Sequence, residues 1–352
     1  MRDGRTGVSL SRVSQYIRNT SELARYTSIV LRGPAQIFAF AQFVAEHTHL
    51  KLKTRYLFID GQESEEELER VAYLANAGTR EAQREYTRLA QLLPPTNKLV
   101  QEAEDAVIWE SANATAILGR EGARAVESIL RTLGPTLEIL DISLNKYVAE
   151  MLRNPISLPR LVDLPTRCGF PLRPCDVPAL EPTNSLRYLH VVDTTHQWHF
   201  VERFFENGIS YFAPSLVQLR LLDLYQDEEV TKHLECALGH SDDLDFYPPS
   251  QVPQLPPTLE LVILRPALEP KHNRRCEPSA RAPCDELRDY DDLMCFARWL
   301  RDKDDRVMLL KAAASTPVEE FREWLDKVDG TVCDWDILTS ELDFDSTEEY
   351  SD

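Results

Sequence analysis

Between Leu137 and Asn145 apolar and polar positions alternate as Leu-x-x-Leu-x-Ile-x-x-Asn, with Leu140 and Ile142 apolar and Asp141 and Ser143 polar. Strict alternation of this kind predicts a half-buried strand. Gly134 and Pro135 interrupt the helical pattern just upstream. Weaker copies recur in Leu158–Leu164, Leu186–Val191, Leu216–Leu221 and Leu259–Leu264. Aligned first leucines at 137, 161, 186 and 216 are separated by 24, 25 and 30 residues, and a longer interval precedes Leu259. Further strands are predicted at Tyr26–Leu31, Thr54–Ile59 and Arg306–Leu310.

Between these segments the period changes to 3.6. Helices are predicted over Gln36–Glu46, Glu63–Ala77, Ala82–Leu93, Ala112–Leu133, Val201–Tyr211, Glu228–Leu238 and Asp285–Arg301. Pro94-Pro95 ends one of them, and a separate segment then runs to about Trp109. Ser64 with Glu67 reads as a capping box. Thr316-Pro317-Val-Glu-Glu320 is a helix start, with Thr as N-cap, Pro at the first position and acids behind it. Phe321, Trp324, Leu325 and Val328 follow as its apolar face, and Gly330 stops it.

A repeat of roughly 20–29 residues whose strand reads L-x-x-L-x-L is the signature of a leucine-rich repeat. The fold expected is therefore α/β: an irregular leucine-rich-repeat-like solenoid, a curved sheet with helices on its outer side, behind a mainly helical N-terminal region. The divisions expected are 1–53, 54–330 for the repeats, and an acidic tail at 331–352. Pro-rich 246–258 and the mixed basic and Pro-rich 269–283 read as insertions.

In such a strand the leucines face the core and the residues between them face the concave side. Asp60, Asp141, Ser143, Tyr188, His190, Gln218, Arg220 and Arg265, with Phe58 and Ile263, are so placed. Solenoids present continuous binding surfaces on that side. These residues are the candidate partner-binding set.

Chemistry is sparse. The chain has 58 acidic and 39 basic residues, a net charge of −19. Nine of the acidic residues, and no basic one, follow Lys327. Such a balance argues against nucleic acid or an anionic membrane as partner. The seven cysteines include no C-x-x-C pair, which argues against a zinc ribbon or a thioredoxin-type site. His190, His196 and His199 cluster around Asp193, but no fourth ligand is indicated, so no metal is expected. Gly119-Arg-Glu-Gly122 matches the phosphate clamp of KH domains but lies within a helical run. Lys271-His-Asn-Arg-Arg275 is a basic run in a loop. No nucleophile elbow, phosphate loop, dinucleotide fingerprint or zincin pair occurs, so no enzyme activity and no cofactor are expected. With no N-terminal apolar segment, a cytoplasmic or nuclear setting is expected.

Ser9-Leu-Ser-Arg-Val-Ser-Gln-Tyr-Ile-Arg18, then Leu23-Ala-Arg-Tyr26 and Ser28-Ile-Val-Leu31, resembles the second half of an F-box. The order of elements is similar to that of the F-box and leucine-rich-repeat proteins of mushroom-forming (basidiomycete) fungi. The family's first F-box helix, with its Leu-Pro opening, has no counterpart here, because the motif is entered at Met1. The resemblance implies a substrate receptor of a cullin-based ubiquitin ligase, with a protein partner and the ligase adaptor as contacts. The other reading of the same residues is a repeat scaffold with no ligase link.

Overall fold

A computed structural model describes residues 26–48, 52–61, 70, 73, 76–152, 155–167, 170, 180–192, 205, 209–224, 228–240, 252–269, 285–314 and 316–330. The F-box-like stretch up to residue 25 lies outside the described residues. So do most of the helix expected at Glu63–Ala77, and His196, His199, Lys271–Arg275 and the acidic tail.

The chain is α/β, built on one eight-stranded sheet in which every neighbouring pair is parallel and strand order follows the sequence. The strands are β1 (Ser28–Arg32), β2 (Tyr56–Gly61), β3 (Ile139–Leu144), β4 (Asp163–Arg167), β5 (Tyr188–Val192), β6 (Gln218–Leu224), β7 (Leu261–Pro266) and β8 (Val307–Leu309). β1, β2, β3, β5, β6, β7 and β8 overlap their predicted segments to within three residues at either end, whereas β4 shares only Asp163 and Leu164 with Leu158–Leu164. The helices are α1 (Gly33–Glu46), α2 (Ala77–Leu92), α3 (Lys98–Leu133), α4 (Lys146–Met151), α5 (Ile209–Phe212), α6 (Glu228–Leu238), α7 (Asp285–Lys303) and α8 (Pro317–Asp329).

One chemical pattern recurs from turn to turn. The first leucines, Leu137, Leu161, Leu186 and Leu216, are fully buried. Leu140, Leu164, Leu189, Leu219 and Val262 lie three residues further on and are buried in the same core. The main-chain N–H groups that open β3 to β6 donate to one carbonyl just before the preceding strand: Glu138 and Ile139 to Arg55, Val162 and Asp163 to Glu138, Arg187 and Tyr188 to Val162, Val217 and Gln218 to Arg187. A hydroxyl just before the first leucine ties three turns further. Thr136 donates to Thr54 O, Ser185 to Leu161 O and Thr258 to Leu216 O, at 2.8 Å in each case. Buried backbone polar groups must be paired, and here one turn supplies the partners of the next.

The main core lies on one side of the sheet. There Leu57, Ile59, Leu140, Ile142, Leu189, Leu219 and Leu264 meet Ile37 of α1, Ile129 and Leu130 of α3, Leu234 of α6 and Leu293 of α7. The sequence predicts a break near Trp109, but α3 runs unbroken for 36 residues. The residues there, Ser111-Ala-Asn-Ala-Thr115, include neither Gly nor Pro, so nothing stops propagation. Asn97 caps it, its side chain accepting from Leu99 N at 3.0 Å. Gly119 and Gly122 are in mid-helix, as the sequence predicts, and their role is steric: a Cβ at Gly119 would sit 2.8 Å from Tyr147 O at the start of α4.

Candidate recognition face and its covering helix

The other side of the sheet carries the residues between the leucines. The pairing register stacks them in lateral rows. One row holds Tyr188 beside Asp163 and Gln218; a second holds Val30, Phe58 and Asp141, then His190, Arg220 and Ile263; a third holds Arg32, Asp60 and Ser143 beside Arg167, with Arg265 opposite Leu222. Each residue of the partner-binding set is on this side. Strand pairing thus brings together positions separated by more than 200 residues in sequence, from Asp60 to Arg265.

This face is covered. Helix α8 lies on it and forms a second, smaller core, in which Phe58 packs with Trp324 and Val328, and Val30, Tyr56, Ile139 and Phe321 surround them. Phe58 meets Phe321 and Trp324 edge-on, with ring centroids 5.3 and 5.6 Å away. The Arg32 guanidinium sits 3.9 Å from the centre of the Phe321 ring, a cation–π contact.

The local sequence makes α8 a complete helix. Thr316 Oγ1 accepts from Glu319 N, and the Glu319 carboxylate accepts from Thr316 N at 3.2 Å, closing a capping box. Pro stands at its first position, and Gly330 ends it with φ of 63°, the left-handed region in which glycine carries no penalty. Leu325, predicted on the apolar face, is exposed instead. The stripe facing the sheet runs through Glu320, Phe321, Trp324, Lys327 and Val328, and the sheet offers ionic partners to Glu320 and Lys327.

Those partners form a buried charge network. Arg167 Nη1 is 3.1 Å from Asp141 Oδ1, and its Nε is 3.1 Å from Glu320 Oε1. Lys327 Nζ is 3.0 Å from Asp163 Oδ2 and 3.9 Å from Glu323 Oε1. Arg220 Nη1 reaches Glu323 at 3.5 Å. At the far edge Arg265 pairs with Asp223 at 3.2 Å; Asp223 has φ of 57°, where β6 shifts register against β7.

Burial dominates the protonation equilibria. It pushes the Asp141 carboxyl up to about 6 against the pull of Arg167 and Lys327. It likewise raises Glu320 to about 7, although Arg167 opposes, and Asp163 moves in the same direction. Burial, reinforced by Lys327, Arg220, Arg167 and Arg265, holds His190 well below its ordinary value. The His190 ring is therefore neutral near pH 7, and its 3.6 Å approach to Asp163 is not an ion pair.

Ser143 Oγ, Gln218 Nε2 and Trp324 Nε1 are among the buried polar atoms of this region that make no hydrogen bond. A buried polar group without a partner costs about 1–3 kcal/mol.

Sequence reasoning placed the partner-binding set on this side but omitted Asp163 and Arg167, and with them the network. The signal was present: Asp163, Pro165 and Arg167 alternate with Leu164 and Thr166 as the other outward residues do. The docking of Glu320, Glu323 and Lys327 had no local signal.

Among the described residues, no group of three His, Cys, Asp or Glu side chains has the arrangement of a metal site. No described helix is long and apolar enough to cross a membrane. The chain matches no family model, no curated protein sequence and no solved structure.

Proposed function

We propose that this chain is a non-catalytic protein-recognition module whose eight parallel strands form a leucine-rich-repeat-like solenoid. The observation that carries the reading is the polar side of the sheet. Strands β1 to β7 each place at least one charged, aromatic or amide side chain there, side by side with the next strand's, as solenoid binding surfaces do. That side already holds a protein segment, α8, through Phe58, Arg167, Asp163 and Arg220. Aromatic and arginine side chains of this kind dominate the energetics of protein interfaces.

The F-box-like residues, Ser9–Arg18, Leu23–Tyr26 and Ser28–Leu31, support a cullin-based ubiquitin ligase as the partner system, with this chain as its substrate receptor. Purified ligase adaptor mixed with the full chain and run on size-exclusion chromatography tests that part, and separate elution removes the ligase link. Recognition itself is tested by Tyr188→Ala/Arg220→Ala. Tagged wild-type chain recovers a partner protein identified by mass spectrometry; the double variant recovers several-fold less while its far-UV circular dichroism remains that of the folded chain. Equal recovery by both chains overturns the recognition reading.

A further inference from the structure

We infer that α8 is a displaceable occupant of the sheet face, and that the partner this face fits is an amphipathic helix of the same chemistry: two aromatics three residues apart, flanked by carboxylates, with a lysine one turn on. This rests on the recognition reading above.

Four observations carry it. First, α8 lies apart from the main core. Its apolar residues belong to the small cluster around Phe58, whereas α1, α3, α6 and α7 share the main core on the other side. Second, α8 holds its own start and stop signals, the Thr316–Glu319 capping box and left-handed Gly330, so its boundaries are set by its own residues and not by the sheet. Third, the match between helix and sheet is detailed: aromatics against Arg32 and Phe58, Glu320 against Arg167, Glu323 against Arg220, Lys327 against Asp163. The sheet thus reads a defined sequence of charges along a helix. Fourth, α8 fills the face imperfectly. Ser143 Oγ on the sheet and Trp324 Nε1 on the helix are buried without hydrogen bonds. A partner helix that offers Ser143 a polar group gains what α8 forgoes.

Binding of a helix through anchors at i, i+3, i+4 and i+7 is an established mode of peptide recognition. The positions here are Glu320, Glu323, Trp324 and Lys327. A resident helix lowers the apparent affinity for any competitor by the fraction of time the face is open.

The test uses the full chain and a fluorescein-labelled peptide with the sequence of residues 315–331. Wild-type chain binds it weakly, because α8 holds the face. Full-length Phe321→Ala/Trp324→Ala, with its own helix weakened, binds it at least tenfold more tightly, and a peptide carrying the Lys327→Glu change loses that gain. Equal binding by both chains, or none by a variant whose circular dichroism matches wild type, overturns the inference. Native-state hydrogen exchange on wild type gives a reading independent of any variant's folding. Amides of α8 exchange at least tenfold faster than those of β3 to β6; exchange of both only through one common unfolding overturns displacement. A concentration-dependent wild-type dimer would make the occupant a second copy's α8 and also overturn the partner-helix reading. Failure of the peptide arm while Tyr188→Ala/Arg220→Ala still loses its partner removes this inference and leaves the recognition reading intact.

Discussion

Lys327 Nζ lies 3.0 Å from Asp163 Oδ2, and both side chains are less than a tenth exposed. An ammonium and a carboxylate taken out of water lose several kcal/mol of hydration each, and their mutual attraction offsets this only while both are present. Lys327→Ala should therefore destabilise the docked state of α8 by about 3–5 kcal/mol, because the Asp163 charge is left buried and alone there. Asp163→Asn/Lys327→Met should lose much less, since no unpaired charge remains. Guanidinium denaturation of the three proteins checks the order: wild type, then the double variant, then the single.

Phe58 and Trp324 form the centre of the smaller core. A double-mutant cycle of Phe58→Ala and Trp324→Ala should return a coupling of about 0.5–1.5 kcal/mol, the range for an edge-on aromatic pair. Each single truncation should cost about 3–5 kcal/mol if helix and sheet unfold together. If α8 undocks separately, the loss at Trp324 is capped at the docking free energy, and urea titration followed by tryptophan fluorescence shows an early, shallow transition.

The raised carboxyls give stability a defined pH dependence. Asp141 at about 6 and Glu320 at about 7 compare with ordinary values of 3.8 and 4.5. The fold binds these protons more tightly than the unfolded chain. Their contribution is thus complete below the ordinary values and is lost as pH rises through 6 and 7. His190 works the other way: its folded value is lowered, so stability it supports at neutral pH is lost as pH falls through its ordinary value of 6.5. Glu320→Gln isolates one carboxyl, because an amide mimics the protonated acid. Relative to wild type the variant should gain roughly 1 kcal/mol near pH 8, allowing for solvent screening, and the gain should vanish near pH 5. Urea midpoints at the two pH values measure it.

Gly119→Ala should reverse a general rule. Alanine in place of glycine inside a helix ordinarily stabilises by about 1 kcal/mol. At this position the new methyl would stand 2.8 Å from the Tyr147 carbonyl oxygen, which belongs to backbone and has little room to yield. A net loss of about 1–3 kcal/mol is expected, read as a lower thermal midpoint.

The strands were legible because their signal is local. A period of two and leucine at fixed offsets are properties of nine consecutive residues, and β3, β5, β6 and β7 overlap the segments so read, whereas β4 shares only Asp163 and Leu164 with its segment. The two ends of α8 were legible for the same reason, since Thr316, Glu319 and Gly330 act on their own neighbours. The unbroken length of α3 was missed because Ser111, Asn113 and Thr115, weak helix formers spaced by alanines, look like a break although none terminates a helix.

Alternation in the sequence by itself determined which residues of each strand turn away from the core, and so collected Asp141, Ser143, His190, Gln218 and Arg220 on one side. Only the tertiary structure decided that this side is covered. The pairing of Asp163 with Lys327 and of Arg167 with Glu320 joins residues more than 150 positions apart. Their charges look like ordinary solvated ones in the sequence. They become a buried network only when the chain, having laid down its last strand, returns α8 across the first strands of the sheet, where burial and the low dielectric set their energies.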